Sequence, residues 1–194
     1  DKLHKMVASD HNPERKTACA WDQTLWQQMV DLGWTSLAVP DSVGGLGMPV
    51  VAVAGLVEEV GRAAFPCSLL STLNVTYVLA ACGSGGEVAL AEIAEGITAS
   101  LAITNRQASW SAADTDIKYV QGRLNGTAWF VQDARKVDRL LVSAQTSSGL
   151  ALYWVATDAT GVTVVPDAIV DLTRDQAHVR FDNVPALELT ASGL

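Results

Sequence analysis

An α+β fold, an N-terminal α-helical half followed by a β-barrel or β-sandwich half, is predicted by three features of this 194-residue sequence. Between residues 22 and 94, apolar side chains recur at three- and four-residue spacing, with capping residues and glycines as punctuation. From about Thr98 the period falls to two, and short runs of β-branched and aromatic residues alternate with turn residues. Helices filling one half and strands the other point to segregated layers, with domains at 1–97 and 98–194.

Taken in order, Lys2 to Ala8 is a short amphipathic run, and Asp10 to Thr17 is polar and interrupted by Pro13. Asp22 can cap a helix over Gln23 to Leu32, whose apolar stripe is Leu25, Trp26, Met29 and Leu32; Gly33 suits the turn that ends it. Asp41 to Gly47 is a loop with three glycines. Pro49 fits the first turn of the next helix, which runs to about Gly61 with Val50, Val53, Ala54, Val57 and Val60 as its inward side. Glu58 and Arg62 form an i,i+4 pair on the wet side. Two more helices are predicted at Leu69 to Ala81 and Glu87 to Ala94, divided by Gly83 to Gly86.

Seven strands follow, at Ser100–Thr104, Asp116–Val120, Ala128–Val131, Leu140–Ala144, Leu150–Ala156, Val162–Val165 and Ala177–Phe181. Two dipeptides, Gln121-Gly122 and Asn125-Gly126, compete for the turn between the second and third. Asn-Gly is the stronger intrinsic hairpin signal, but using it shortens the third strand. The stretch from Gly122 to Val142 is a strand, a polar interruption and a second strand. Trp129, Phe130 and Val131 suit a pleated surface, whereas Gln132 to Asp138 is polar enough to require water or a ligand.

Composition narrows the function classes. The formal net charge is −8 and the pI about 4.7, and basic residues are scattered, which argues against nucleic acid or an anionic membrane as partner. Cys19, Cys67 and Cys82 are odd in number and widely spaced, as free thiols of a reducing compartment would be, so a cytoplasmic location is expected. Asn74-Val75-Thr76 and Asn125-Gly126-Thr127 are read as chance matches to the glycosylation sequon. No apolar run approaches the ~18 residues of a membrane-spanning helix. The chain opens on Asp1 and is expected to be a piece of a longer protein.

Several chemical motifs fail on their context. Gly45-Leu46-Gly47 starts like a dinucleotide fingerprint, but Val50 takes the place of its third glycine, and a plain turn is expected. His4, His11 and His178 share no ligand spacing with one another or with the cysteines, so no metal is expected and the three are read as solvated surface residues. Adjacent Glu58 and Glu59 point about 100° apart on a helix and cannot work as an acid–base pair. Among six tryptophans, Trp26, Trp34 and Trp154 are read as core. Trp110, in a Ser/Ala-rich loop, is the one expected to line a ligand site or pack on further protein.

The ordered series Leu32-Gly33-Trp34, Pro40-Asp41-Ser42-Val43-Gly44-Gly45-Leu46-Gly47 and Glu58-Glu59-Val60-Gly61-Arg62 resembles the N-terminal helical domain of the acyl-CoA dehydrogenases. Leu124-Asn125-Gly126, Val137 to Val142, and Val179-Arg180-Phe181-Asp182-Asn183-Val184-Pro185 are similar to the middle β-domain of that family. The resemblance implies FAD as cofactor and an acyl-CoA thioester as substrate, oxidised between Cα and Cβ. It also implies a homo- or hetero-oligomer. The catalytic glutamate of the family lies in a C-terminal helical bundle, so no catalytic residue is expected in this chain.

The same resemblance implies cofactor-binding roles for Ile103, Thr104, Phe130, Val131 and Gln132, and substrate-binding roles for Ser109, Trp110 and Ser111. Phe130-Val131-Gln132 stands where the family carries Trp-Ile-Thr against the flavin. Asn105 replaces an acidic residue, Ala128 a lysine, and Ala108 to Ser111 a Gly-Ser-Asp loop. These departures leave two functions open. One is a working FAD-dependent acyl-CoA dehydrogenase. The alternative is a flavin-deficient subunit supporting a catalytic partner, as in two-subunit members of the family, some of which act on sterol side chains. A helix-capped β-sandwich binding module is a third.

Overall fold

The computed structural model describes residues 22–171 and 173–189. Helices α1 (Gln23–Asp31), α2 (Val50–Arg62), α3 (Leu69–Ala81) and α4 (Glu87–Ala94) come first. Strands β1 (Ala99–Ala102), β2 (Lys118–Val120), β3 (Arg123–Gln132), β4 (Arg139–Thr146), β5 (Gly149–Ala156), β6 (Val162–Pro166) and β7 (Gln176–Pro185) follow. The runs over residues 2–17, and with them Cys19, Trp21, His4 and His11, lie outside the described residues.

Local chemistry accounts for the helix ends. The Asp22 carboxylate accepts the Leu25 N–H at 3.1 Å and caps α1. Gly33, at φ +78°, turns the chain after Asp31. Because α1 stops there, Trp26 and Met29 are buried while Leu32 is left 70% exposed, so the inward stripe is shorter than its spacing predicts. On α2, Val53 is buried and Leu56, Val57 and Val60 pack beside it against a cluster that includes Trp26, Leu69 and Leu73. Val50 and Ala54, predicted to face inward, are exposed, because the contact stripe follows the 53–56–57–60 series. Gly45 is required by packing: a Cβ there would sit 2.0 Å from the Val39 carbonyl oxygen. That close backbone approach explains its glycine without a phosphate.

Helices α3 and α4 lie on the sheet. Val75, Leu79, Leu90 and Ile93 form one buried cluster with Ala99, Leu141 and Leu152. A second cluster lies on the opposite side of the strands and includes Leu124, Val131, Leu140, Val142, Tyr153 and Phe181. Strand β4 therefore has both faces covered, which is why Leu140, Leu141 and Val142 are all apolar rather than alternating. The half-buried Glu92 of α4 accepts from Arg139 Nε and Trp154 Nε1, both at 3.0 Å, and fastens the helix to β4 and β5. Burial alone would raise its pKa, but the bonds from Trp154 and Arg139 outweigh that and hold the carboxyl below its ordinary value.

All seven strands belong to one mixed sheet, ordered β1-β4-β2-β3-β7-β6 with β5 on the other edge of β4. The β1–β4 pair is parallel and the β4–β5 pair antiparallel. The hairpin turn falls at Gln121-Gly122, with φ of +51° and +79°, so β3 runs on through Asn125-Gly126. The intrinsically weaker turn wins because Gly126 is needed inside the strand. At φ +137° it lets the Asp116 carbonyl come so close that a Cβ would stand 2.3 Å from that oxygen. Neither sequon sits in a loop, since Asn74 lies on α3 and Asn125 on β3.

Candidate functional site

Strand β3 slips register against β7 between Ala128 and Val131. Ala128 and Val131 both belong to the buried core of the sheet, so two residues are accommodated between inward positions, and Phe130 takes φ +57°. The bulge turns Phe130 outward, where its ring is 41% exposed. It is fixed from the β1 side, where the Trp129 N–H donates to the Thr104 carbonyl at 2.9 Å.

Phe130 lies in a cleft with Gln132, Ile103 and Thr104, and Trp110 stands on its loop side. Five of the eight residues singled out in the sequence thus share one wall system. The Gln132 side-chain amide has no hydrogen-bond partner among the described residues. Ser71 and Asn74 of α3 and Ser100 of β1 complete the floor. These three escape a reading of the sequence by motif, although polar residues on the otherwise apolar α3 are a signal in retrospect. None of the described residues lining the cleft is a carboxylate.

Val131 is not among the lining residues. Its side chain is 1% exposed and packs in the core beside the cleft. Ser109 and Ser111 do not line it either. The loop after β1 is held on itself by Asn105, whose Oδ1 accepts from the Gln107 and Ser109 N–H groups at 3.0 and 2.9 Å and whose Nδ2 donates to the Asp114 carbonyl at 3.0 Å. Ser109 Oγ donates to Asp114 at 2.6 Å, and the Ser111 N–H donates back to Ser109 Oγ at 3.2 Å. The loop presents Trp110, 69% exposed, as its projecting group. The cleft as a whole encloses about 20 Å³, room for one water.

The polar run after Phe130 does not simply meet water. Asp133 and Lys136 are each 7% exposed, and Lys136 Nζ lies 3.4 Å from Asp133 Oδ1. Arg135 donates to Asp175 through Nε at 2.6 Å and through its backbone N–H at 3.2 Å. The charges pair with one another rather than with solvent, which is how this turn can be buried. His178, expected on the solvated surface, is instead half-buried. It stacks on Trp129 with ring centroids 4.9 Å apart and lies 3.0 Å from Asp167 Oδ1. The Arg106 guanidinium covers the Trp129 ring at 5.5 Å.

Among the described residues no cluster of His, Cys, Asp and Glu could hold a metal ion, and no helix is long and apolar enough to cross a membrane. Cys67 is a buried free thiol and Cys82 a partly buried one.

Residues 2–87 match the family described as acyl-CoA dehydrogenase, N-terminal domain. Acyl-CoA dehydrogenase FadE27 of Mycobacterium tuberculosis is 32% identical over 163 residues, covering 78% of this chain and 42% of that protein. The chain therefore spans less than half the length of that relative. The ChsE4–ChsE5 complex of the same organism matches at TM-score 0.70 and 25% identity, covering 96% of this chain and 52% of that one. An acyl-CoA dehydrogenase of Bacillus anthracis, solved in complex with FAD, matches at TM-score 0.75 over 96% of this chain and 33% of that one. At 18% identity this match shows the fold.

Proposed function

We propose that this chain, which belongs to the acyl-CoA dehydrogenase family, supplies the helical and β domains of an FAD-dependent enzyme that desaturates an acyl-CoA thioester between Cα and Cβ. The observation that carries this reading is the bulge in β3, which leaves an aromatic face and an exposed primary amide side by side in the cleft. Those groups fit one wall of a flavin site: Phe130 offers a face for a flat ring, and Gln132 offers both a donor and an acceptor for its polar edge. Ile103 and Thr104 form the adjoining side of that wall.

Bound FAD would supply the acceptor for the two electrons removed from the substrate. The chain's own part is to bind, orient and dry the site. Val131 and Ala128 anchor the wall in the core, and the Trp129–Thr104 bond fixes the bulge. None of the described residues lining the cleft is a carboxylate, and in this reading the base that takes the α proton belongs to a part of the enzyme beyond them. Ser109, Trp110 and Ser111 sit at the rim on the substrate side in this reading. We place the protein in the cytoplasm, consistent with its free thiols.

A second reading is favoured by Trp110. Its indole stands on the loop side of a cleft with the volume of a water, and Ser109 is committed to Asp114. A subunit of this form would support a flavin-bearing partner within a hetero-oligomer. The absorption spectrum of the purified full-length protein separates the two. We expect a flavin band near unit stoichiometry. A colourless protein that turns yellow solely with a co-expressed partner would instead establish the supporting role.

A further inference from the structure

Asp133 follows Gln132 directly but does not line the cleft with it. Its backbone holds φ +53°, a conformation that Asp and Asn tolerate better than most residues. Its N–H donates to the Asp175 carbonyl at 2.9 Å. Ser71 Oγ lies 3.0 Å from Asp133 Oδ2 and 2.9 Å from the Ser68 carbonyl, so its one proton is shared between two acceptors, and Ser71 belongs to α3 and to the floor of the cleft. Asp133 Oδ1 faces the buried Lys136 ammonium at 3.4 Å. A single carboxylate thus ties the helical layer to the turn immediately after the wall.

We infer that Asp133 is a positioning residue of the flavin wall: by bridging Ser71 and the β3–β4 turn, it fixes the direction in which Phe130 and Gln132 face. The inference rests on the flavin reading above. Its consequence is specific, because the bridge to Ser71 and the charge pairing with Lys136 can be removed separately. Asp133→Asn keeps the tolerance for positive φ and an oxygen acceptor for Ser71. Asp133→Ala loses both, and either variant deprives Lys136 of its counter-charge.

The experiment is a titration of full-length apoprotein, in its native assembly, with FAD, followed by quenching of flavin fluorescence alongside thermal melts. Both variants are expected to melt lower, Asp133→Ala the more so, because it also loses the tolerance for positive φ and the acceptor for Ser71. The FAD dissociation constant is expected to rise about tenfold in Asp133→Ala, the loss of roughly one hydrogen bond, and to stay within about twofold of wild type in Asp133→Asn. If Asp133→Ala does not fold, Ser71→Ala removes the same bridge while leaving the ion pair, and the same rise of about tenfold is expected. Equal weakening in the Asn and Ala variants, or none in Asp133→Ala or Ser71→Ala, overturns the inference while leaving the flavin reading intact. A wild-type assembly that binds no FAD overturns the reading itself, and the inference with it.

Discussion

Gly126→Ala is expected to cost about 3 kcal/mol or more in folding free energy, a large fraction of the stability of an ordinary domain. Two effects add. Alanine is strained at φ +137°, and its methyl carbon would stand 2.3 Å from the Asp116 carbonyl oxygen and 2.8 Å from Ile117 Cα. Both neighbours are backbone, so no side-chain rotation relieves the contact. Ile117 is fully buried and its carbonyl accepts from Gln145 of β4, which ties the contacted segment to the middle of the sheet. The segment also ends the loop that carries Trp110, so damage extends toward the cleft. Denaturant melts of Gly126→Ala beside Gly122→Ala check this. An added Cβ at Gly122 meets nothing within 4 Å, so its cost comes from its φ of +79°. Gly122→Ala should therefore be the milder of the two.

Lys136→Met should be nearly as damaging at neutral pH, at about 3–5 kcal/mol, because it strands a buried carboxylate. The Lys136 side chain is 2% exposed, and Asp133 is its charged neighbour. Burial already pushes the Asp133 carboxyl above its ordinary value, with Lys136 the strongest opposing influence. Removing the lysine raises it further. A raised carboxyl pKa means that the folded state holds a proton the unfolded chain has released. Stability from this group is therefore complete below the unfolded value, about 3.9, and is lost as pH rises through the folded value. The Lys136→Met deficit should accordingly be large at pH 7 and shrink on acidification toward pH 5. Melts of wild type and variant across that range check the sign. A deficit that grows on acidification would show that Asp133 is not the group left uncompensated.

The parts of this fold that were legible in the sequence are those fixed by local chemistry. Helices α3 and α4 run over the residues their periodicity indicates, and Asp22 and Gly33 bound α1 as their capping chemistry requires. What was not legible depends on partners distant in sequence. Asn125-Gly126 is a good hairpin turn by itself. It is drawn into β3 because the strand must admit the Asp116 backbone, and nothing near residue 126 announces that. The β3 bulge is likewise set by pairing with β7. It explains why Ala128 and Val131, three residues apart, are both buried, with Phe130 left exposed between them. Gln132 to Asp138 looked bound to meet water or a ligand, because charge in sequence signals a polar environment. Asp133 and Lys136 pair with each other across one turn instead, and Ser71 meets them from α3. The same holds for His178, which is covered by Trp129 of the neighbouring strand. In the cleft, Ile103, Thr104, Phe130 and Gln132 were indicated by family resemblance and Trp110 also by its Ser/Ala-rich loop, whereas Ser71, Asn74 and Ser100 emerged with the tertiary packing.

The central claim is that the bulged end of β3 is a flavin wall, and paired removal of its two outward groups tests it most directly. Full-length protein carrying Phe130→Ala and Gln132→Ala should keep its melting temperature within a few degrees, because both side chains are exposed and neither fills the core. Its FAD dissociation constant, measured by fluorescence titration, should rise by at least about tenfold relative to wild type, from the loss of one stacking face and one hydrogen-bonding edge. An unchanged FAD affinity in a stably folded double variant would contradict the account, and would place any flavin site of this protein elsewhere.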